Sequence, residues 1–203
     1  MKLYHDLCTY TVRIRITKMK VGSLEVIAGP MFCGKTEELI RRVRRAVIAK
    51  KKVAVFKHTL DIRYRKRNVV SHSKISLRST VVTHAKEILK KAKNADIVAV
   101  DEAMWFGRDL IPIVNQLIDQ GKRVIVSGLS TTFDAQPFEP IPSLMAVADK
   151  VDKLTSVCNM CGKEAIFHKK IGAKKENPFE ISAKHVGEKD TYEARCRTCF
   201  NKE

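Results

Sequence analysis

Leu24-Glu25-Val26-Ile27-Ala28-Gly29-Pro30-Met31-Phe32-Cys33-Gly34-Lys35-Thr36 decides the fold of this 203-residue chain. Leu24 to Ala28 predicts a short strand, and Gly29-Pro30 ends it. From Lys35, Leu39, Val43 and Val47 recur four residues apart, with Ile40 and Ile48 beside them, so a helix follows. Glu37 and Glu38 fall in its first turn, where the helix dipole favours anions. Arg41, Arg42, Arg44 and Arg45 take much of its remaining surface. The connecting loop, Gly29 to Thr36, fits G-x-x-x-x-G-K-[ST] in the strand–loop–helix setting that this motif requires. Its backbone N–H groups can wrap phosphate oxygens at a helix N-terminus. Lys35 is then aimed at the β- and γ-phosphates, and the Thr36 hydroxyl at Mg²⁺. A glycine-rich turn without a ligand is the competing reading. Cys33 reads as a small loop residue.

The same alternation continues outward. Val53-Ala54-Val55-Phe56 predicts a second strand, Ile97-Val98-Ala99-Val100 a third, Arg123 to Gly128 a fourth and Val151 to Val157 a fifth. Helices are expected over residues 84–93, 109–120 and 143–149, with Gly121 stopping the second. Residues 57–80 show no period and predict a long basic loop. Short apolar strands alternating with amphipathic helices imply an α/β domain, a parallel sheet covered on both faces. Asp101-Glu102 closes the third strand. An acid at the end of a buried strand beside a phosphate loop is placed to hold Mg²⁺. Asp101 is the metal-side candidate and Glu102 a candidate base, unless the pair merely begins the next loop.

Composition excludes other classes. Hydrophobic residues make up 44% of the chain, enough for a core, so a disordered basic tail is excluded. No apolar run approaches the roughly 18–20 residues that span a bilayer, so a soluble, cytoplasmic protein is expected. The formal net charge is +17. Residues 1–100 hold 24 Lys+Arg against 7 Asp+Glu, whereas residues 101–203 hold 15 of each, so the excess lies in the first half. It suits an anionic partner or simply a solvated surface. Residues 1–21 read as an N-terminal extension, with a strand-like Val12 to Ile16 and no signal-peptide core.

After residue 157 the pattern changes. Cys158-Asn159-Met160-Cys161 and Cys196-Arg197-Thr198-Cys199 are two C-x-x-C pairs. Each pair can offer two thiolates from a tight turn, and together they complete a tetrahedral Zn²⁺ site. Two disulfides are the alternative, disfavoured in a cytosolic chain. The organisation expected is an extension (1–21), an α/β nucleotide domain (22–157) and a small zinc-binding domain (158–203).

These motifs resemble the type II thymidine kinases. So do Glu38-Leu39-Ile40-Arg41-Arg42, Asp61-x-Arg63-Tyr64, Val70-Ser71-His72, Asp101-Glu102-Ala103-x-x-Phe106, Gly128-Leu129, Phe133, Pro137-Phe138, Pro140-Ile141-Pro142, Asp152-Lys153-Leu154-Thr155 and Tyr192-Glu193-Ala194-Arg195-Cys196. The resemblance covers about residues 22–200 in the family's order. It implies a RecA-like core and a zinc-held lasso over the nucleoside. It also implies transfer of the ATP γ-phosphate to the 5′-hydroxyl of thymidine, a homotetramer and feedback inhibition by dTTP. Carried over by position, Glu102 is the proton acceptor, with Lys35, Asp61 and Arg63 also catalytic. Gly29, Pro30, Met31, Phe32, Cys33, Gly34, Lys35 and Thr36 would bind ATP with Asp101, Glu102, Ala103 and Met104. Met31, Trp105, Leu129, Phe133, His168 and Tyr192 would line the nucleoside site, and Ala183, Lys184, His185, Val186 and Gly187 would read the base edge.

Some positions depart from the family pattern. Trp105 stands where Phe is usual, Ser130 where Asp is usual, and His168 where Thr is common; Asp134-Ala135-Gln136 replaces a stretch often containing basic residues. A competing class is a nucleic-acid-binding ATPase with a zinc ribbon. The net charge suits it, but aromatics, which would stack bases, are only 6% of the chain.

Overall fold

The computed structural model describes residues 21–61, 68–70, 76–171 and 192–202. The sequence-predicted extension lies almost wholly outside them. In chain order come β1 (Ser23–Gly29), α1 (Lys35–Ile48), β2 (Val53–His58), β3 (Asn68–Val70), β4 (Ser76–Arg78), β5 (Thr80–Val82), α2 (Lys86–Lys91) and β6 (Ile97–Asp101). A 3₁₀ segment (Ala103–Asp109) then leads into α3 (Leu110–Asp119), β7 (Arg123–Leu129), α4 (Ile141–Val147) and β8 (Lys150–Lys153). The C-terminal part holds β9 (Ser156–Val157), β10 (Glu164–Ala165), β11 (Phe167–Lys170), β12 (Tyr192–Arg195) and α5 (Arg197–Phe200).

Six strands form one sheet in the order β5-β2-β6-β7-β1-β8, every neighbouring pair parallel. A parallel sheet is buried on both faces, which is why its central strands are continuously apolar; all five residues of β6 are buried. Alternate side chains feed two cores. On one face Ile27, Val55, Ile97, Ala99 and Ile125 pack under Leu39, Ile40, Val43 and Ala46 of α1. On the other, Leu24, Val26, Phe56, Val98, Val100, Val124 and Val126 meet Ile88 of α2, Leu110, Ile113, Val114 and Leu117 of α3, and Ile141 and Leu144 of α4. Smaller antiparallel pairs, β3–β4, β9–β10 and β11–β12, complete a mixed α/β architecture.

The structure departs from the sequence expectations in four places. The expected loop over 57–80 carries the end of β2, the β3–β4 hairpin and β5, an edge strand of the main sheet. Three-residue strands are too short to show a period. The fifth expected strand is two: β8 joins the main sheet beside β1, and β9 turns away to pair with β10. The helix expected from Asp109 is preceded by a 3₁₀ segment, with a kink at Gly107 (φ 58°). Finally, Arg42, expected on the outer face of α1, is buried.

Arg42 donates from Nε to Glu38 (2.8 Å), from Nη1 to Glu25 of β1 (2.7 Å) and from Nη2 to Asp152 of β8. Glu25 also accepts from Arg123 of β7 at 2.6 Å. One guanidinium fork thus ties α1 to two strands, a geometry that lysine could not reproduce. The carboxyls respond. Arg41 and then Arg42 hold Glu38 down to about 2 against the cost of burial. Glu25 is lowered, against burial, by Arg123 and Arg42, and Asp152 is lowered by Arg42.

Removing one partner of a buried ion pair costs about 3–5 kcal/mol. The partners of Arg42 keep some exposure, so Arg42→Met is expected to destabilise the chain by about 3 kcal/mol at pH 7. The carboxyls bind protons more weakly folded than unfolded, so their contribution is present above about pH 4.5 and is lost as pH falls toward about 2. Urea unfolding of both proteins across this range should show the gap closing.

Candidate active site

The loop between β1 and α1 emerges at the carboxyl edge of the parallel strands, where open α/β sheets place their ligands. Two glycines shape it. A Cβ on Gly29 would lie 2.6 Å from the Leu154 carbonyl oxygen and 2.7 Å from Cys33 Sγ. Gly34 enters the helix at φ 81°, a left-handed conformation that costs glycine nothing. Phe32 also takes a positive φ, 64°. The loop therefore curls back, and Lys35 curls with it: its Nζ donates to the Pro30 carbonyl (2.5 Å) and to Cys33 Sγ (3.7 Å). Cys33 Sγ itself donates to Pro30 O at 3.0 Å, so it is part of the loop's own bracing.

β6 delivers the acid pair to the same edge. Thr36 Oγ1 of α1 donates to Asp101 Oδ2 at 3.3 Å, and the Ser127 hydroxyl of β7 donates to Oδ1. The Asp101 carboxylate is thereby gripped from the loop helix on one side and the neighbouring strand on the other. Ser127 was not singled out from the sequence; its signal is a hydroxyl at the carboxyl end of an otherwise apolar strand. Glu102 is buried and left-handed, φ 49° and ψ 47°, and so breaks the strand's alternation immediately after Asp101. Its carbonyl accepts from Trp105 N at 3.2 Å, starting the 3₁₀ segment. Asp61, just past β2, lies 3.7 Å from the buried ammonium of Lys57. Arg63 lies outside the described residues, as do Ala183, Lys184, His185, Val186 and Gly187.

Beside the acids is a narrow cavity lined by Met31, Met104, Trp105, Leu129, Phe138, His168 and Tyr192. Phe133 packs against this cluster, its ring 6.4 Å from that of Tyr192. All six sequence-derived nucleoside positions among the described residues therefore gather here: Met31, Trp105, Leu129, Phe133, His168 and Tyr192. Met104, grouped with the nucleotide set from sequence, sits in this apolar cluster, and Phe138 joins it unforeseen. Ala103 is fully buried in the core under α4. Tyr192 also borders a second, more open cavity of about 420 Å³, which runs past Phe32, Gly34 and Glu37 to Ser156 and Asn159.

His168 is 1% exposed. Burial first, and the Lys35 charge second, push its imidazole down to about 3, so the ring is neutral. Among the described residues, neither His168 Nδ1 nor the buried Trp105 Nε1 has a hydrogen-bond partner. Two unsatisfied polar atoms in one apolar pocket are costly unless a ligand or water meets them.

The four cysteines converge. The Sγ atoms of Cys158, Cys161, Cys196 and Cys199 lie within 4.8 Å of one another, and a tetrahedral Zn²⁺ with bonds of about 2.3 Å asks for sulfurs about 3.8 Å apart. Against the penalty of burial, backbone N–H groups of Cys196, Met160 and Cys161 hold the Cys158 thiol down at about 6. The Cys199 N–H likewise lowers Cys196. Cys199, next to Cys161 and Cys196, is pushed up to about 12. Four sulfurs at this spacing fit a soft divalent metal.

The thymidine kinase family model matches residues 22–200. The chain belongs to the thymidine kinase family. It is 47% identical over 180 residues to a thymidine kinase of Rhodothermus sp. (strain ITI 518), covering 89% of this chain and 82% of that one. It is 44% identical over 181 residues to a thymidine kinase of Porphyromonas gingivalis (strain ATCC BAA-308 / W83), covering 89% and 86%. Family membership brings ATP-dependent kinase activity with it. Among the described residues no helix is long and apolar enough to cross a membrane.

The loop's tight fit is directly testable. Gly29→Ala places a methyl group inside contact distance of a backbone oxygen, and overpacking of this kind costs about 1–3 kcal/mol. A corresponding fall in stability should appear in denaturant titration.

Proposed function

We propose that this chain phosphorylates thymidine, moving the ATP γ-phosphoryl group to the nucleoside 5′-hydroxyl and yielding dTMP and ADP for nucleotide salvage. The observation that carries this reading is the junction of Thr36 with Asp101, 3.3 Å apart, which sets the phosphate loop and the acid pair at one strand edge. In this reading the loop amides and Lys35 hold the β- and γ-phosphates, and Lys35 leaves the Pro30 carbonyl to do so. Thr36 and Asp101 are the residues that would hold Mg²⁺. That ion supplies charge neutralisation on the phosphate oxygens.

The nucleoside lies against Met31, Trp105, Leu129, Phe133, Phe138 and Tyr192, with His168 beneath the base. Residues 183–187, outside the described residues, would read the base edge, as the family resemblance implies. Glu102 accepts the 5′-hydroxyl proton as the oxygen–phosphorus bond forms and the bond from the γ-phosphorus to the bridging oxygen breaks, releasing ADP. Asp61 and Arg63 attend the reacting groups. A nucleoside that fills this apolar pocket would keep water from the γ-phosphate and suppress ATP hydrolysis. Cys158, Cys161, Cys196 and Cys199 hold a structural Zn²⁺ at the base of the lasso, within a RecA-like and zinc-ribbon arrangement. A cytoplasmic homotetramer restrained by dTTP completes the reading, on the strength of the family resemblance.

Incubation with ATP, Mg²⁺ and a panel of nucleosides, with separation of the products, tests the reaction: dTMP should be the major product. General-base help is worth about 10²–10⁴-fold. Glu102→Gln should therefore lower kcat by about that factor while ATP affinity holds; a variant keeping more than about a tenth of wild-type kcat makes Glu102 structural.

Metal analysis should find one zinc per chain. Cys196→Ser should lose it and unfold at lower temperature, because a structural zinc contributes folding energy directly. Active protein with substoichiometric zinc would refute the metal assignment.

A further inference from the structure

Lys57 is a charged residue that neither the motif nor the resemblance assigns a role. It is the fifth residue of β2, and its side chain is 1% exposed. Val55 of β2 packs on the α1 face of the sheet and Phe56 on the other, so the alternation returns Lys57 to the α1 face. On β6, Ile97 and Ala99 occupy that same face, which brings Asp101 to it too. The parallel register sets Lys57 directly opposite Asp101. Adjacent strands lie about 4.8 Å apart, so the lysine stem stands beside the carboxylate that Thr36 and Ser127 grip. Beyond it, the Lys57 ammonium lies 3.7 Å from Asp61 Oδ2 and donates to the Asp61 backbone carbonyl at 3.4 Å. The Asp61 side chain is itself only 8% exposed.

An ammonium carried this far from water is expensive, and a well-packed apolar side chain often serves stability as well or better. The strand supplies valine at the preceding position on this face, so apolar packing is available there. A cation at this end of β2 has a use only where negative charge must be held in place. That is the strand edge to which the phosphate loop opens.

We infer that Lys57 is a positioning residue for phosphoryl transfer: it fixes the Asp61 carboxylate and main chain beside Asp101, so that the acids at this edge are set before substrates arrive. The inference rests on the kinase reading above. Lys57 acts through Asp61 rather than on the substrate.

The test uses full-length Lys57→Met, Lys57→Arg, Asp61→Asn and the Lys57→Met/Asp61→Asn double variant. It reads kcat, KM for ATP and for thymidine, binding of a fluorescent ATP analogue, and Tm. Misplacing a reacting group by about 1 Å can cost 10²-fold. Lys57→Met should therefore fold, bind the analogue within about threefold of wild type and lose about 10²-fold in kcat. Lys57→Arg should recover about tenfold of that loss by restoring the charge. The double variant should be no slower than the slower single one, since coupled residues are non-additive. Lys57→Met strands the buried Asp61 and should melt somewhat lower than wild type, whereas the double variant, which removes both charges, should not. Three results overturn the inference: near-normal kcat in Lys57→Met, additive losses in the double variant, or a double variant that is insoluble or melts far below wild type, which makes the pair structural. If wild-type protein phosphorylates no nucleoside, it is the kinase reading that falls; an active wild type beside an active Lys57→Met removes only the role of Lys57.

Discussion

The hydrogen bond from Thr36 to Asp101 closes the circuit on which this site depends. The two residues are 65 positions apart in the chain. They meet because β1 and β6 both run parallel to β7, in register, so that the loop after β1 and the acid at the end of β6 leave the sheet at the same edge. A slip of one residue in the β6–β7 pairing would turn Asp101 toward the opposite core. Ser127 at the end of β7 provides the second hydroxyl and stands between them in the strand order. Positioning and charge stabilisation are most of what phosphoryl transfer asks of a protein, and this edge concentrates both.

Two of the buried charge clusters among the described residues serve different ends. Arg42 works on the outer flank of α1, where it satisfies three carboxylates and clamps the helix to β1 and β8. Its effect is mechanical: the helix that carries the phosphate loop at its start is held against the sheet one and two turns later. Lys57 and Asp61 sit at the carboxyl edge of the sheet beside Asp101, where, in the positioning role inferred above, their charges serve orientation. Both arrangements are costly to desolvate, and both are compensated by close opposite charges.

The pocket beside the acids has another logic. Its walls are methionine, leucine and aromatic rings, which give contact area without fixing orientation. His168 and Trp105 each bring a buried nitrogen that finds no partner among the described residues. These are two of the positions where the chain departs from the family pattern, and they meet in one cavity. The neutral imidazole keeps a second positive charge away from Lys35 while leaving a polar atom in an apolar wall.

The phosphate loop, the Asp101-Glu102 pair, the cysteine pairs and the alternation of strands with helices were legible in the sequence. Each is a local pattern: a turn with fixed spacing, an apolar run with a charged end, two thiols two residues apart. β5 and the β3–β4 hairpin were not legible, because three residues carry no period and find their place only by pairing. Arg42 looked like one of four equivalent surface arginines, and only the packing of α1 against β1 and β8 buries it. Ser127 and Lys57 carry no motif; their place at the site comes from strand register and from which face of the sheet each side chain occupies. Tertiary structure decided these because register and layer packing join residues across tens of positions, and no local pattern encodes that distance.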